Sequence, residues 1–101
     1  MSDGSFAIKN IMASLVSYDI SADHAELREI LFMLGYKDRI PGKECEFIYF
    51  PDTTLYHASK TSLQVHRELE VMCRQLRIDL KRCVVTAWED WAASCGEPSE
   101  N

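Results

Sequence analysis

Asn10-Ile11-Met12-Ala13-Ser14-Leu15-Val16-Ser17-Tyr18-Asp19 is the stretch on which the fold turns. Its length and its Ile, Val and Tyr content read as a β-strand rather than a helix. Directly after it, Ser21 to Asp23 supply helix-start chemistry, and Asp23 with Glu26 forms a D-x-x-E variant of the capping box. Leu27, Ile30, Leu31 and Leu34 then recur at i, i+3, i+4 and i+7, an apolar stripe about 100° wide. Gly35 stands where a left-handed residue ends a helix. The chain therefore opens as strand, then helix.

Tyr36 to Ile40 leads into Pro41-Gly42-Lys43, a turn signal. Cys45 to Phe50 is strand-like, Pro51-Asp52 breaks it, and Thr53 to Ala58 resumes as β. These two runs read as a hairpin, its first strand beginning as early as Tyr36. Thr61-x-x-Gln64 is a second capping box. Val65, Leu69, Met72 and Leu76 form the buried stripe of the helix that follows, with Arg67 and Arg74 on its solvent side. Cys83 to Thr86 is the last strand, and Thr86-x-x-Glu89 predicts a short C-terminal helix carrying Trp91.

The order is strand, helix, strand, strand, helix, strand. It predicts an α+β domain of ferredoxin-like βαββαβ type, a four-stranded antiparallel sheet with two helices on one face. Residues 1–9 read as a flexible N-terminus, 10–95 as a single domain and 96–101 as an acidic tail.

A sheet covered by helices on one side turns polar residues to water on the other. The alternation here is apolar on both sides. Ile11, Ala13 and Leu15 oppose Met12, Val16 and Tyr18 in the first strand, and Val85 and Ala87 oppose Val84 and Trp88 in the last. A homodimer joined through the sheet faces is the expected cover. The alternative is that the C-terminal segment with Trp88 and Trp91 folds over its own sheet.

The 101 residues make one domain. No run is long and apolar enough for a membrane helix, and Met1-Ser2-Asp3-Gly4 lacks the basic-then-apolar character of a secretory signal. A cytosolic, non-membrane protein is expected. Cys45, Cys73, Cys83 and Cys95 include no Cys-x-x-Cys pair. In a reducing compartment they are expected to be ordinary half-buried thiols.

The net charge of −5 counts against a general nucleic-acid binder. Residues 60–82, however, hold six basic residues against three acidic ones. Within them Lys60, Arg67, Arg74 and Lys81 recur every seven positions, a line that would grip a phosphate backbone or serve as a solvated helix face. Asp19, between strand and helix, suits either a metal ligand or turn chemistry. His57 would act as general acid or base if it faced a groove. Solvent exposure accounts for His24 and His66.

Three of these features together resemble the small ferredoxin-like nuclease superfamily, which includes the GhoS antitoxin endoribonuclease, the VapD ribonucleases and the small subunit of the CRISPR integration complex. The first strand ends Leu15-Val16-Ser17-Tyr18-Asp19, the helix closes with Leu34-Gly35-Tyr36, and the chain ends on a strand followed by Ala87-Trp88-Glu89-Asp90-Trp91. The resemblance implies a homodimer acting on RNA, a GhoS-like endoribonuclease of a toxin–antitoxin or defence setting. It places Asp19, Ser17 and Tyr18 at the catalytic site, with Arg67 and Arg74 on RNA phosphates. It also implies Asp19 as the metal-associated residue, with Mg2+ the ion admitted there. The alternative reading is a non-catalytic dimeric module that binds a protein or small ligand.

Overall fold

The computed structural model describes residues 13–98. Residues 10–12 of the first expected strand, the N-terminal segment and residues 99–101 lie outside the described residues. Within them the order is β1 (Ser14–Ile20), α1 (His24–Met33), β2 (Arg39–Pro41), β3 (Phe47–Tyr49), β4 (Thr54–His57), α2 (Ser62–Leu76) and β5 (Leu80–Ala87).

β1 sets the frame through strict alternation. Ser14, Val16, Tyr18 and Ile20 are buried, whereas Ser17 and Asp19 are exposed. β1 lies between β4 and β5, antiparallel to both, with Val16 opposite Leu55 on one side and Val85 on the other. Leu27 and Leu31 of α1 and Val65, Leu69 and Cys73 of α2 share one core with Val16, Tyr18 and Ile20. Both helices therefore cover the same face of the sheet. Full burial of each of these leucines contributes about 2–3 kcal/mol.

The small α+β architecture with two helices agrees with the sequence pattern; the strand pairing of its middle section differs. Residues 45–50 do not pair with residues 53–58. Instead β2 and β3 form their own antiparallel pair, Ile40 opposite Ile48, around the turn that begins at Pro41. Among the described residues the outer edge of β4 is paired only at Lys37, which exchanges both backbone hydrogen bonds with Tyr56 at 2.9 and 2.8 Å. Pro51 accounts for part of this: it has no N–H for a ladder, and its carbonyl accepts from Thr54 N–H at 3.0 Å to turn the chain.

The capping box of α2 forms as expected, Thr61 and Gln64 each bonding the other's backbone N–H. That of α1 does not. Asp23 has φ 58°, left-handed rather than extended, so its side chain is not positioned to cap the first turn. Gly35 does end α1 in the left-handed region at φ 98°.

No helix forms at Trp91. One turn is unstable alone, and other contacts hold this segment. Trp88 N–H donates to the Ala13 carbonyl at 3.0 Å, and the Trp88 ring packs on Tyr56 (5.2 Å), Phe50 (5.9 Å) and Trp91 (4.6 Å between centroids). The C-terminal segment thus lies against the aromatic residues at one end of the sheet's second face.

Cys45 and Cys95 form a disulfide, correcting the expectation of four free thiols; Cys73 and Cys83 are free. Separation in sequence hid the pairing, since the turn at Gly42–Glu46 and the returning C-terminal segment meet only after folding. Gly42 belongs to that turn by necessity: a Cβ there would lie 2.8 Å from the Cys45 sulfur. Among the described residues no helix is long and apolar enough to cross a membrane.

Candidate ligand cavity

Only three residues, Ser21 to Asp23, connect β1 to α1, so the start of α1 sits directly beside the end of β1. His24, Arg28 and Phe32 follow one another at four-residue steps along one helix face. Opposite them is the Pro51–Thr53 turn that leads into β4. Thr53 has φ 58°, a strained conformation for a β-branched residue. It is held there by Tyr18, whose N–H donates to the Thr53 carbonyl at 3.0 Å. Between helix and turn is a cavity of about 720 Å³ lined by Tyr18, His24, Ala25, Arg28, Glu29, Phe32, Asp52 and Thr53.

Tyr18 is the unusual member of this lining. It is 4 % exposed, yet its hydroxyl has no hydrogen-bond partner among the described residues. Buried polar groups are almost always paired, and leaving one unpaired costs about 1–3 kcal/mol. Burial pushes its phenol up from the ordinary tyrosine range, and the nearby Arg28 charge offsets part of that rise.

Arg28 is pinned by an ion pair. Its Nη2 donates to Asp38 Oδ2 at 2.7 Å, and its guanidinium lies 5.2 Å from the centre of the Phe32 ring. Burial raises the Asp38 carboxyl, but hydrogen bonds and charge from Arg39 and Arg28 outweigh it and hold Asp38 below the usual range. Asp38 is therefore ionised and fixes the arginine, leaving guanidinium donors to spare. Glu29 is exposed and has no ion-pair partner among the described residues. The cavity thus combines a cation, a carboxylate, a buried hydroxyl and an aromatic ring.

The residues singled out in the sequence do not converge. Ser17 and Asp19 project from one face of β1 and Tyr18 from the other. The Ser17 hydroxyl lies 2.7 Å from that of Thr54. Asp19 Oδ2 accepts from Arg82 Nε at 2.7 Å in an exposed ion pair. Among the described residues no group of three or more His, Cys, Asp or Glu side chains could hold a metal ion.

Arg67 and Arg74 are both exposed on α2. The seven-residue line does not run on, because α2 ends at Leu76 and Lys81 belongs to β5. Lys60 is engaged with Glu68 at 2.6 Å and lies over the Tyr36 ring.

His57 faces no groove. It is buried against Tyr36, its Nδ1 accepts from Ser59 N–H at 3.1 Å, and its Nε2 is 3.0 Å from the Leu34 carbonyl. Accepting at Nδ1 places the neutral ring's proton on Nε2, which donates to Leu34. His66 sits 3.7 Å from Glu70 on the helix surface, as a solvated residue does. His24, assigned to solvent in the sequence, is exposed at the cavity rim.

Arg28, Phe32 and Thr53 carry no motif that marks them as a site. The signal in the sequence was the four-residue spacing of His24, Arg28 and Phe32 on the helix flank, next to the Pro51-Asp52 turn.

No protein-family model matches the chain, and neither the curated proteins nor the solved structures contain a match.

Proposed function

We propose that this protein is a non-catalytic binding module that takes a small organic ligand in the cavity between α1 and the Pro51–Thr53 turn. The observation that carries the reading is the buried Tyr18 hydroxyl, which has no hydrogen-bond partner among the described residues, in the cavity wall that Arg28 also lines. A polar group left unpaired in a strained, concave setting is the arrangement that a ligand completes. The frame we propose is a trimmed ferredoxin-like unit. The β5-β1-β4 order, extended at one edge by the Lys37–Tyr56 bridge, matches that connectivity with its outermost strand reduced to a single bridge.

The test is a fragment screen by amide chemical-shift mapping on the full chain. Shifts clustered at Tyr18, Arg28 and Thr53, and lost in Tyr18→Phe, are expected. Fragments that bind only elsewhere would overturn the reading.

A second reading is an RNA-acting, GhoS-like homodimer. Arg67 and Arg74 favour it, since both are exposed and lack ion-pair partners among the described residues. Val84, 70 % exposed on the second sheet face, favours a sheet-to-sheet dimer. In this reading Asp19, with Mg2+, would act only after release from Arg82. Titration of single-stranded RNA at low salt, with and without Mg2+, tests it: absence of both binding and cleavage removes it. A monomer by light scattering removes the dimer. A cytosolic location requires that Cys45–Cys95 open and close with the redox state there, whereas an oxidising compartment keeps it closed.

A further inference from the structure

The cavity lining carries both signs of charge. On the positive side are the first turn of α1, which the Asp23 side chain does not cap, and the Arg28 guanidinium, with Tyr18 in the same lining. The uncapped N–H groups of a ten-residue helix carry partial positive charge and attract carboxylates. The buried Tyr18 hydroxyl is an independent sign that an acceptor is wanted in the same cavity. Glu29 supplies negative charge to the same cavity. A simple anion would be opposed by this acid, and a simple cation by Arg28 and the helix end. Phe32 and Ala25 add an apolar surface.

We infer that, within the binding-module reading on which this rests, the ligand is a small zwitterion: an α-amino acid with an apolar side chain. Its carboxylate accepts from Tyr18, Arg28 and the α1 N–H groups. Its ammonium faces Glu29, and its side chain lies along Phe32. The cavity volume exceeds that of such a molecule, so water accompanies it.

Four probes that share a phenyl group separate the possibilities when titrated by chemical-shift mapping: phenylalanine, 3-phenylpropanoate, phenethylamine and 3-phenylpropan-1-ol. Phenylalanine is expected to bind about tenfold more tightly than each of the others, since each lacks at least one charged contact. Glu29→Gln is expected to weaken phenylalanine and phenethylamine while strengthening 3-phenylpropanoate, which then loses a like charge. Equal affinity of the acid, the amine or the alcohol at the cavity would overturn the zwitterion assignment and leave the binding module standing. Failure of all four to shift cavity residues at millimolar concentration would overturn both.

Discussion

Cys95 is bonded to Cys45 across 50 positions of sequence, and the Tyr49 N–H donates to the Cys95 carbonyl at 3.2 Å. Together these contacts return the C-terminal segment to β3 and keep Trp88 against Phe50 and Tyr56, with Trp91 stacked on Trp88. Closing a loop of this length is worth about 2–4 kcal/mol. Reduction, or Cys45→Ser with Cys95→Ser, should lower Tm and shift tryptophan emission to the red as the stack loosens. Intact-mass analysis under non-reducing conditions should find two alkylatable thiols, Cys73 and Cys83. Four would contradict the pairing.

Gly35 lies between α1 and Tyr36 with φ 98°, and a Cβ at this position would be 3.0 Å from His57 Nε2. Gly35→Ala therefore strains the backbone and displaces the histidine that donates to Leu34. A loss of about 1–3 kcal/mol is expected in denaturant unfolding. His57→Ala should reduce the additional cost of Gly35→Ala, because the collision is then gone.

Tyr36 should make the protein sensitive to alkali. Burial, and then its hydrogen bond to Glu68 at 2.9 Å with that carboxylate's charge, push the phenol far above its ordinary value. The unfolded chain ionises near pH 10, so this residue's contribution is fully present below that and is lost as pH rises further. Tyr18, raised chiefly by burial, acts in the same direction. Stability measured from pH 8 upward should fall beyond about pH 10, and Tyr36→Phe should flatten the fall.

Asp19→Ala should leave the fold nearly unchanged, within about 0.5 kcal/mol, because its ion pair with Arg82 is exposed. The variant is therefore a clean probe of the RNA reading. Any cleavage activity that survives it does not depend on Asp19.

The two helices were legible in the sequence because periodicity reports burial directly, whereas the core face of β1 was not, since its alternation reads as apolar on both sides. Leu27, Leu31, Val65 and Leu69 were picked by spacing and are fully buried. What was not legible depended on distant meetings. The partner of Cys45 was set by where the C-terminal segment travels. The pairing of residues 45–50 with residues 39–41, rather than with residues 53–58, was set by competition between two adjacent hairpins. The cavity was hidden for a further reason. Arg28 and Glu29 look like ordinary solvated helix residues, and Tyr18 looks like a strand-end aromatic. Only the turn at Thr53 brings a wall across from them. Ser17, Tyr18 and Asp19 are adjacent in the chain, but a strand sends neighbours to opposite faces, so Ser17 and Asp19 share one face and Tyr18 lies on the other.

Tyr18→Phe tests the central claim most directly, through paired measurements of denaturant stability and phenylalanine affinity. Removing a buried hydroxyl that has no partner among the described residues should stabilise the free protein by about 1 kcal/mol while weakening phenylalanine binding about tenfold. A destabilised variant with unchanged affinity would show that the hydroxyl serves the fold and not a ligand.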